Sequence, residues 1–293
     1  MTERPRARVI RAAQRPSRLV IVGHPVAHSL SPLFQSAALR AAGIPVPYDR
    51  EDVAPDRLSV ALARLAADGA GGNITIPHKE TAAELLSRCT PVAARVGAVN
   101  TFWTEHGALV GHNTDVDGAV ATIRALLPGD RGEPRDVPVV VLGAGGSAAA
   151  VLVALHDLGL HRITVVARTP LRAQALSERL SIPVRIVTND AADDAARSAS
   201  LVINATPVGM RDDAFPMAVE SLPAHCAVFD LVYRAGLTPW IAACREAGLR
   251  AEDGLRMLVE QGAAAFETWF DMPAPREAMW RALNVVPPTQ DCQ

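Results

Sequence analysis

The chain has 293 residues, enough for two α/β domains of ordinary size. Its apolar share of 49% and charged share of 20% are typical of globular proteins. A net charge of −2 does not favour a nucleic-acid partner, and no apolar run reaches the roughly 18 residues of a membrane helix. The N-terminal segment 1–17 lacks the apolar core of a signal peptide, and the four scattered cysteines form no C-x-x-C pair. We therefore expect a cytoplasmic protein with reduced thiols and a short disordered N-terminal extension.

The first part of the chain alternates apolar, strand-like stretches with helical ones. The predicted elements are strands at 18–23, 72–76 and 98–103 and helices at 33–42, 58–67, 78–89 and 115–127. A second series begins near residue 137, with strands at 139–142, 162–167, 184–187, 201–204 and 227–231 and helices at 147–158, 171–180 and 255–270. Alternation at this spacing predicts right-handed βαβ units and a parallel sheet. We interpret the chain as two α/β domains, with the nucleotide-binding domain beginning near Gly118.

A glycine turn follows the predicted strand at 139–142 and opens a helix. Gly143, Gly145 and Ala148 match the pattern G-x-G-x-x-[G/A], which allows a tight turn and a close approach of a pyrophosphate to the backbone. The segment Gly143, Ala144, Gly145, Gly146 and Ser147 is therefore a predicted dinucleotide site. The alternative is a glycine-rich turn that binds no ligand.

The end of the predicted strand at 162–167, the second strand of the nucleotide-binding domain, indicates which dinucleotide is used. An NAD enzyme usually carries Asp or Glu there, whereas this chain has Ala167, Arg168 and Thr169. Arg168 would pair with a 2′-phosphate and stack on adenine, and Arg172 would add a second contact. A solvated helix start is the alternative for both arginines. The pattern favours NADP.

Four polar segments of the first domain lie beside apolar strands. The first carries Ser29 and Ser31, whose hydroxyls would face one way in an extended segment and suit a carboxylate or polyol. Alternatively, Ser31 caps the helix that follows, with Pro32 at its first position. The second contains Asn73 and Thr75 on a shared face.

Lys79 follows this second segment and is the only lysine among 29 basic residues. It lies in the first turn of a predicted helix, whose positive end disfavours an ammonium ion. A lysine there can exchange a proton near neutral pH, which a guanidinium cannot. A surface lysine kept by chance is the alternative.

The third and fourth polar segments carry an amide and a carboxylate. Asn100, in the strand at 98–103, can donate and accept hydrogen bonds. Asp115, at the start of a long helix, would pair with Lys79 and accept a substrate hydroxyl, or would simply cap the helix. His28, His78 and His112 lie in separate segments without metal-ligand spacing, so no metal is predicted.

Taken together, these motifs make the chain similar to the shikimate dehydrogenases, which reduce 3-dehydroshikimate to shikimate with NADPH. The matching segments, in order, are 29–32 (SLSP), 73–79 (NITIPHK), 97–101 (GAVNT), 113–115 (NTD), 143–147 (GAGGS), 204–210 (NATPVGM), 230–233 (DLVY) and 254–267 (GLRMLVEQGAAAFE). The resemblance implies a substrate-binding and catalytic domain formed by 18–117 with 255–293 and a Rossmann-type NADP domain formed by 118–254. It also implies that the C-terminal helices pack back on the first domain.

The resemblance assigns roles to residues that the motifs alone leave open. Lys79 and Asp115 would be the catalytic pair. The expected substrate contacts are Ser29, Ser31, Thr75, Lys79, Asn100, Asp115, Tyr233 and Gln261. The expected NADP contacts are Gly143, Ala144, Gly145, Gly146, Ser147, Arg168, Thr169, Arg172, Leu231 and Gly254, with parts of the 204–210 loop.

Three positions depart from the family pattern. Ala167 stands where Asn is usual, Phe34-Gln35-Ser36 replaces a His-Asn pair, and Ala235 or Gly236 replaces a proline near Tyr233. A quinate or aminoshikimate dehydrogenase is the alternative enzyme, although Ser31 and Arg168 argue against a quinate-type member. A non-catalytic NADP- or shikimate-binding regulator is the alternative outside enzymes. The oligomeric state stays open, with a homodimer possible.

Overall fold

The computed structural model describes residues 15–127, 136–234 and 236–284. The first fourteen residues of the predicted N-terminal extension therefore lie outside the described part of the chain. The chain divides into two units, and the boundaries fall at Asp115 and at Gly262. The first unit comprises residues up to Ala94, Ala98–Thr114 and the residues from Gly262 on, and the second comprises Arg95–Gly97 and Asp115–Gln261.

The first unit is a six-stranded sheet with helices. Its elements are β1 (Leu19–Gly23), α1 (Ser31–Ala41), β2 (Tyr48–Asp52), α2 (Leu58–Ala67), β3 (Gly71–Ile74), α3 (Lys79–Leu85), β4 (Arg88–Cys89), most of α4 (Pro91–Val96), β5 (Thr101–Glu105), β6 (Ala108–His112), the second half of α10 (Gly254–Phe270) and α11 (Arg276–Ala282). The strand order is β2-β1-β3-β5-β6-β4. One core of this unit packs the apolar faces of β1, α2 and β3 around Phe102.

The expectation of an entirely parallel sheet is wrong for this unit. Strand β5 pairs antiparallel with both β3 and β6. The β5–β6 connection is a two-residue hairpin, in which His106 and Gly107 have φ values of 52° and 76°. Two successive residues with positive φ are the requirement of such a turn, and they reverse the chain without a crossover helix.

Two boundaries predicted in this unit are also wrong. The helix expected over 78–89 ends at Leu85, because Leu86 is extended and β4 then pairs with β6. The strand expected over 98–103 begins only at Thr101, and the chain turns before it at Gly97, which adopts a φ of 71°. Residues 97–100 are irregular backbone and carry Asn100.

The second unit is a parallel sheet with helices between its strands. Its elements are α5 (Asp115–Leu126), β7 (Val139–Leu142), α6 (Gly146–Asp157), β8 (Ile163–Val166), α7 (Pro170–Leu180), β9 (Arg185–Val187), α8 (Ala192–Ala196), β10 (Leu201–Asn204), β11 (Ala227–Asp230), α9 (Pro239–Glu246), β12 (Arg250–Glu252) and the first half of α10. The strand order is β12-β11-β10-β7-β8-β9. If β7–β12 are numbered 1–6 and the sheet is read from the β9 edge, the order is 3-2-1-4-5-6, which is the order of doubly wound sheets. Successive strands are added toward one edge as far as β9 and toward the other edge from β10 on, so the order reverses between the neighbouring strands β7 and β10.

The C-terminal helices return to the first unit, as the resemblance implied. The Trp269 indole donates a hydrogen bond to the Phe102 carbonyl oxygen over 3.1 Å. The backbone of Gly262 lies against Phe34, and a Cβ added to Gly262 would come within 2.4 Å of that ring. The buried Gln35 amide donates to the Gly262 carbonyl oxygen over 2.9 Å. Two of the residues that depart from the family pattern therefore hold α1 against α10.

Within the described residues, no helix is long and apolar enough to cross a membrane.

Candidate active site

The glycine turn lies at the reversal point of the second sheet. Gly143 follows β7 with a φ of 100°, and an added Cβ would lie 3.0 Å from the Thr206 methyl group, so the tight turn requires glycine. Gly145 differs, because its φ is −95° and an added Cβ would meet nothing within 4 Å. The open side of Gly145 is therefore a surface that a ligand can approach, and the segment from Gly145 to Ser147 is exposed. An open backbone at the start of α6 fits the pyrophosphate of a dinucleotide.

The end of β8 presents arginine and no acid. Ala167 is buried and its N–H donates to the Val187 carbonyl oxygen over 3.0 Å, so this position offers no polar side chain. Arg168 and Thr169 are exposed, and Thr169 precedes α7. Arg172 is exposed in the first turn of α7. These side chains fit a 2′-phosphate better than a free ribose diol, which usually pairs with a carboxylate.

Leu231, Tyr233 and Gly254 are brought together beyond β11. A Cβ on Gly254 would lie 2.2 Å from the Leu231 carbonyl oxygen and 3.1 Å from the Tyr233 ring. The structure thus shows a packing reason for glycine at 254, at the start of α10. Burial raises the pKa of the Tyr233 phenol. Tyr233 is therefore a neutral hydroxyl at physiological pH.

The serine segment of the first unit is turned rather than extended, so the expectation of two hydroxyls on one side of an extended strand is wrong. Leu30 has a helical conformation, with φ −82° and ψ −11°, and Ser31 is the first residue of α1. The Ser29 hydroxyl accepts a hydrogen bond from the Ser31 N–H over 3.2 Å. The alternative that Ser31 caps α1 is also wrong, since Leu30 is the N-cap and makes no side-chain cap.

The loops that carry Ser29 and Thr75 are fixed by backbone contacts. The Arg50 guanidinium donates to the Ser29 carbonyl oxygen over 2.8 Å. The Thr75 N–H donates to the Val22 carbonyl oxygen over 2.8 Å. Thr75 is half-buried, and its methyl group lies 2.5 Å from where a Cβ on Gly23 would stand. Glycine at the end of β1 therefore lets the two loops lie side by side.

Lys79 is the first residue of α3, as the sequence predicts, and the structure shows it to be half-buried. Its carbonyl oxygen accepts a hydrogen bond from the Val99 N–H over 2.8 Å. The preceding residue, His78, is buried, and its Nε2 lies 2.6 Å from the Val53 carbonyl oxygen. These two contacts fix the start of α3 and place Lys79 beside the segment that carries Asn100.

Asn100 is buried and hydrogen-bonded to the fourth polar segment. Its Oδ1 accepts from the Thr114 N–H over 2.7 Å, and its Nδ2 donates to the Thr114 hydroxyl over 3.0 Å. Asn113 donates through its amide to the Ala98 carbonyl oxygen over 2.9 Å. The backbone leading into Asp115 is therefore tied to the segment 98–100.

Asp115 begins α5 in the second unit and is buried. Gly118, one helical turn on, packs against α10, and an added Cβ there would lie 3.0 Å from the Gln261 Cβ. Asp115 and Gly118 share one face of α5. The close packing at Gly118 thus puts Asp115 and Gln261 on neighbouring helices. The Gln261 amide also donates to the Leu258 carbonyl oxygen over 2.7 Å.

His112 does not qualify as an acid–base group. Burial lowers its pKa to about 4, and the Thr90 hydroxyl lies 2.8 Å from its Nδ1. A histidine of this kind is neutral throughout the physiological range. Among the described residues, no three His, Cys, Asp or Glu side chains cluster in a way that would hold a metal ion.

Tyr48 and Thr101 are polar residues at this site that were not predicted from the sequence. Both are buried, and both are hydrogen-bonded to Asn73. The residue types, a lone aromatic in a polar stretch and a threonine in a strand, do not indicate a site. Their position at the start of strands that border the polar segments is the one feature that could have pointed to them.

A doubly wound sheet with a glycine turn at its reversal point, preceded by a unit with clustered buried polar groups, defines a dinucleotide-binding oxidoreductase. Three family models match the chain: the shikimate dehydrogenase substrate binding domain at 21–102, shikimate / quinate 5-dehydrogenase at 131–210, and the shikimate 5′-dehydrogenase C-terminal domain at 254–283. The chain belongs to the shikimate dehydrogenase family. The predicted family, fold class and oxidoreductase activity are thereby confirmed.

Individual relatives agree with this result. The shikimate dehydrogenase (NADP(+)) of Symbiobacterium thermophilum is 42% identical over 276 residues, which cover 90% of this chain and 92% of that protein. The shikimate 5-dehydrogenase of Thermus thermophilus, solved with NADP(H) and shikimate, is 38% identical with a TM-score of 0.81 over 91% of this chain and 98% of that one. The quinate dehydrogenase of Corynebacterium glutamicum, solved with NAD, is 29% identical with a TM-score of 0.83 over 92% and 99%. At the level of the family, the prediction of NADP as cofactor is confirmed.

Proposed function

We propose that the chain catalyses the reversible, NADP-dependent reduction of 3-dehydroshikimate to shikimate, a step toward chorismate and the aromatic amino acids. The observation that carries this proposal is the set of buried polar segments around Lys79, in a chain that belongs to the shikimate dehydrogenase family. The proposed substrate-binding part is 18–117 with 255–293, and the proposed NADP-binding part is 118–254. The free thiols at Cys89, Cys226 and Cys244 are consistent with the reducing cytoplasm.

NADPH, when bound, supplies the hydride that reaches the substrate ketone. In the proposed arrangement the open backbone from Gly143 to Ser147 receives the pyrophosphate. Arg168 and Arg172 receive the 2′-phosphate, with Thr169, Leu231 and Gly254 as further contacts. The absence of an acid at the end of β8 and the exposure of both arginines support NADP over NAD.

Lys79 is the proposed proton donor in the direction of reduction. As an ammonium it gives a proton to the oxygen of the ketone while negative charge develops there, and as a neutral amine it removes that proton in the reverse direction. Asp115 orients the amine and accepts a substrate hydroxyl. Ser29, Ser31, Thr75, Asn100, Tyr233 and Gln261 are the proposed contacts to the carboxylate and ring oxygens of the substrate.

Replacement of Lys79 tests this mechanism. We expect Lys79→Ala to lower kcat by about a hundredfold or more with a smaller change in KM for shikimate, because the proton is shared mainly in the transition state. Lys79→Arg is the matched variant, since it keeps the positive charge but cannot give up a proton near neutral pH. Steady-state rates of shikimate oxidation provide the measurement.

Both variants should therefore lose turnover together. If Lys79→Arg recovered most of the wild-type kcat, Lys79 would be a binding charge and not the acid–base group. Glu80→Ala, which changes the exposed neighbour on α3, controls for disturbance of the helix start. Its kcat should stay close to that of the wild type.

A further inference from the structure

The loop that follows β10 lies beside the glycine turn of the second unit. A Cβ added to Gly143 would stand 3.0 Å from the Thr206 methyl group and 3.2 Å from the Ala205 carbonyl oxygen. Because β10, β7 and β8 are neighbours in that order, residues 205–214, which we call the β10 loop, border the glycine turn on the side opposite to Arg168. Ligands of doubly wound sheets bind outside the carboxyl ends of the strands at the reversal point, so this loop forms one wall of the proposed NADP site.

The two halves of a bound dinucleotide would meet different parts of these strand ends. With the pyrophosphate at the glycine turn and the 2′-phosphate at Arg168, the adenosine half extends toward β8. The nicotinamide half then extends the other way, over the end of β10. The conformation of the β10 loop therefore matters for the nicotinamide half and not for the adenosine half.

Side-chain oxygens shape the β10 loop at both of its ends. Asn204 Oδ1 accepts hydrogen bonds from the Thr206 N–H over 3.0 Å and from the Thr206 hydroxyl over 2.6 Å. Asp212 Oδ1 accepts from the Gly209 N–H over 3.3 Å and from the Ala214 N–H over 3.2 Å. Gly209 turns the chain between these two groups with a φ of 84°. The bonds to Asp212 lie within the loop, so they give its second half a shape but do not attach it to the sheet.

Arg234 attaches this second half of the β10 loop to the segment that follows β11. Its Nη1 donates to the Asp212 carbonyl oxygen over 2.8 Å and, at the longer distance of 3.4 Å, to the Gly209 carbonyl oxygen. Its Nη2 donates to Asp213 Oδ1 over 2.7 Å. The planar guanidinium thus serves three acceptors of the loop in a fixed geometry, which a single ammonium nitrogen does not reproduce.

The segment that carries Arg234 is itself fixed by backbone hydrogen bonds. The Leu231 N–H donates to the Asn204 carbonyl oxygen over 2.9 Å, and the Gly254 N–H donates to the Val232 carbonyl oxygen over 3.1 Å. The Arg234 side chain is half-buried, with an exposed fraction of 31%. A side chain that extends from a fixed base in this way can hold an exposed loop in one conformation.

From this geometry we infer that Arg234 is a positioning residue for the cofactor, which holds the β10 loop in the conformation that receives the nicotinamide half of NADP. The inference rests on the proposed function, because it concerns the same NADP site. Both terminal nitrogens of Arg234 bind the loop, and the loop is the contact through which Arg234 acts.

A binding experiment can separate the two halves of the cofactor. Adenosine 2′,5′-bisphosphate contains the adenosine and the 2′-phosphate but lacks the nicotinamide half. We expect Arg234→Met, which keeps an apolar stem and removes every donor, to raise the Kd for NADP about tenfold, because binding must then order the β10 loop. The Kd for adenosine 2′,5′-bisphosphate should change less than about twofold. Calorimetric titration of the purified protein measures both constants.

Arg162 provides a matched control in the same unit. It forms an ion pair with Asp136 over 3.0 Å and directly precedes β8, so it lies at the amino ends of the strands, away from the proposed NADP site. Arg162→Met removes an Arg–Asp pair and should keep both wild-type Kd values. A general loss of stability would weaken the binding of both ligands, whereas loss of the loop contact weakens only that of NADP.

Arg234→Lys separates the hydrogen bonds from the charge. It keeps the positive charge but offers a single nitrogen, so we expect it to weaken NADP binding as Arg234→Met does. It decides the question by the same criterion if Arg234→Met does not yield folded protein. A wild-type Kd for NADP in either variant of Arg234 would overturn the inference. An equal loss of affinity for adenosine 2′,5′-bisphosphate, or an equal loss in Arg162→Met, would overturn it as well.

These titrations do not depend on turnover. A wild-type protein that binds NADP but does not oxidise shikimate would overturn the proposed reaction, and the titrations would still decide the inference. A wild-type protein that does not bind NADP would overturn both.

Discussion

Asp230 ends β11 as a buried carboxylate that joins three segments of the second unit. Its Oδ1 accepts from the Asn204 amide over 2.8 Å and from the Val232 N–H over 3.0 Å. Its Oδ2 accepts from the Thr238 hydroxyl over 3.0 Å. Burial nevertheless raises the pKa of Asp230, and these hydrogen bonds only partly oppose the shift. The ionised carboxylate is therefore less favourable in the folded chain than in the unfolded chain.

This shift predicts a pH-dependent stability difference between the wild type and Asp230→Asn. Because the pKa is raised on folding, the folded protein binds the proton more tightly, and the resulting stabilisation is lost as the pH rises through the folded pKa. We expect the free energy of unfolding of the wild type, relative to that of Asp230→Asn, to fall as the pH rises from about 4, the ordinary pKa of an aspartate, through the raised pKa of the folded protein. Denaturant unfolding across this range measures the difference. A difference that stays constant or rises with pH would contradict the assignment.

Individual site residues were predictable from sequence to different degrees. Lys79 and Arg168 could be selected because their chemistry is unusual at their positions, a lone lysine and a missing acid. Tyr48 and Thr101 could not be selected from the sequence. They lie in β2 and β5, and only the pairing of strands brings both within hydrogen-bonding distance of Asn73 in β3. The turned conformation of Ser29 and Ser31 was also beyond prediction, since it depends on the local geometry of Leu30.

At the level of elements, the glycine turn before α6 has one glycine that the fold requires and one that it does not. Gly143 has a positive φ and close neighbours. Gly145 has an ordinary φ and open space around its α-carbon. Neither packing nor backbone conformation therefore requires glycine at 145. The close approach of a ligand to the backbone would require it.

This contrast predicts different effects of alanine at the two positions. Gly145→Ala should leave the melting temperature close to that of the wild type and raise the Kd for NADP by about tenfold or more, because a methyl group would stand where the pyrophosphate approaches. Gly143→Ala should lower the melting temperature as well, since alanine is strained at that φ. Thermal unfolding and NADP titration of both variants provide the measurement. Unaltered NADP affinity in Gly145→Ala would contradict the proposed cofactor site.

The accuracy of the element predictions follows from how each element is buried. The strands β7, β8, β10 and β11 are short apolar runs in the interior of a parallel sheet, and their predicted bounds agree with the structure to within a residue or so. The edge strand β2 was missed because its sequence, YDRED, is polar and mostly exposed. Strand β6 was missed because its reversal depends on the backbone of the two-residue hairpin.

At the level of the whole molecule, the two sheets differ in how their order arises. The sheet of the second unit follows the doubly wound order that alternation of strands and helices predicts. The mixed sheet of the first unit does not follow from alternation, because the hairpin inserts antiparallel β5 between β3 and β6. The family resemblance supplied what periodicity could not, namely the return of the C-terminal helices to the first unit.

Family membership leaves open which ring substrate and which dinucleotide this chain prefers. A structure 29% identical to the chain is a quinate dehydrogenase solved with NAD, and the fold alone does not separate the two activities. Ser31 and the exposed Arg168, without an acid at the end of β8, favour shikimate and NADP.

The most direct test is the kcat/KM of the wild-type protein for shikimate and for quinate, each measured with NADP and with NAD. We expect the highest value for shikimate with NADP. Exchange of either partner should lower it by at least about tenfold, since the 2′-phosphate contact and the ring contacts are each expected to contribute that much. A higher value for quinate, or for NAD with either substrate, would contradict the proposed function.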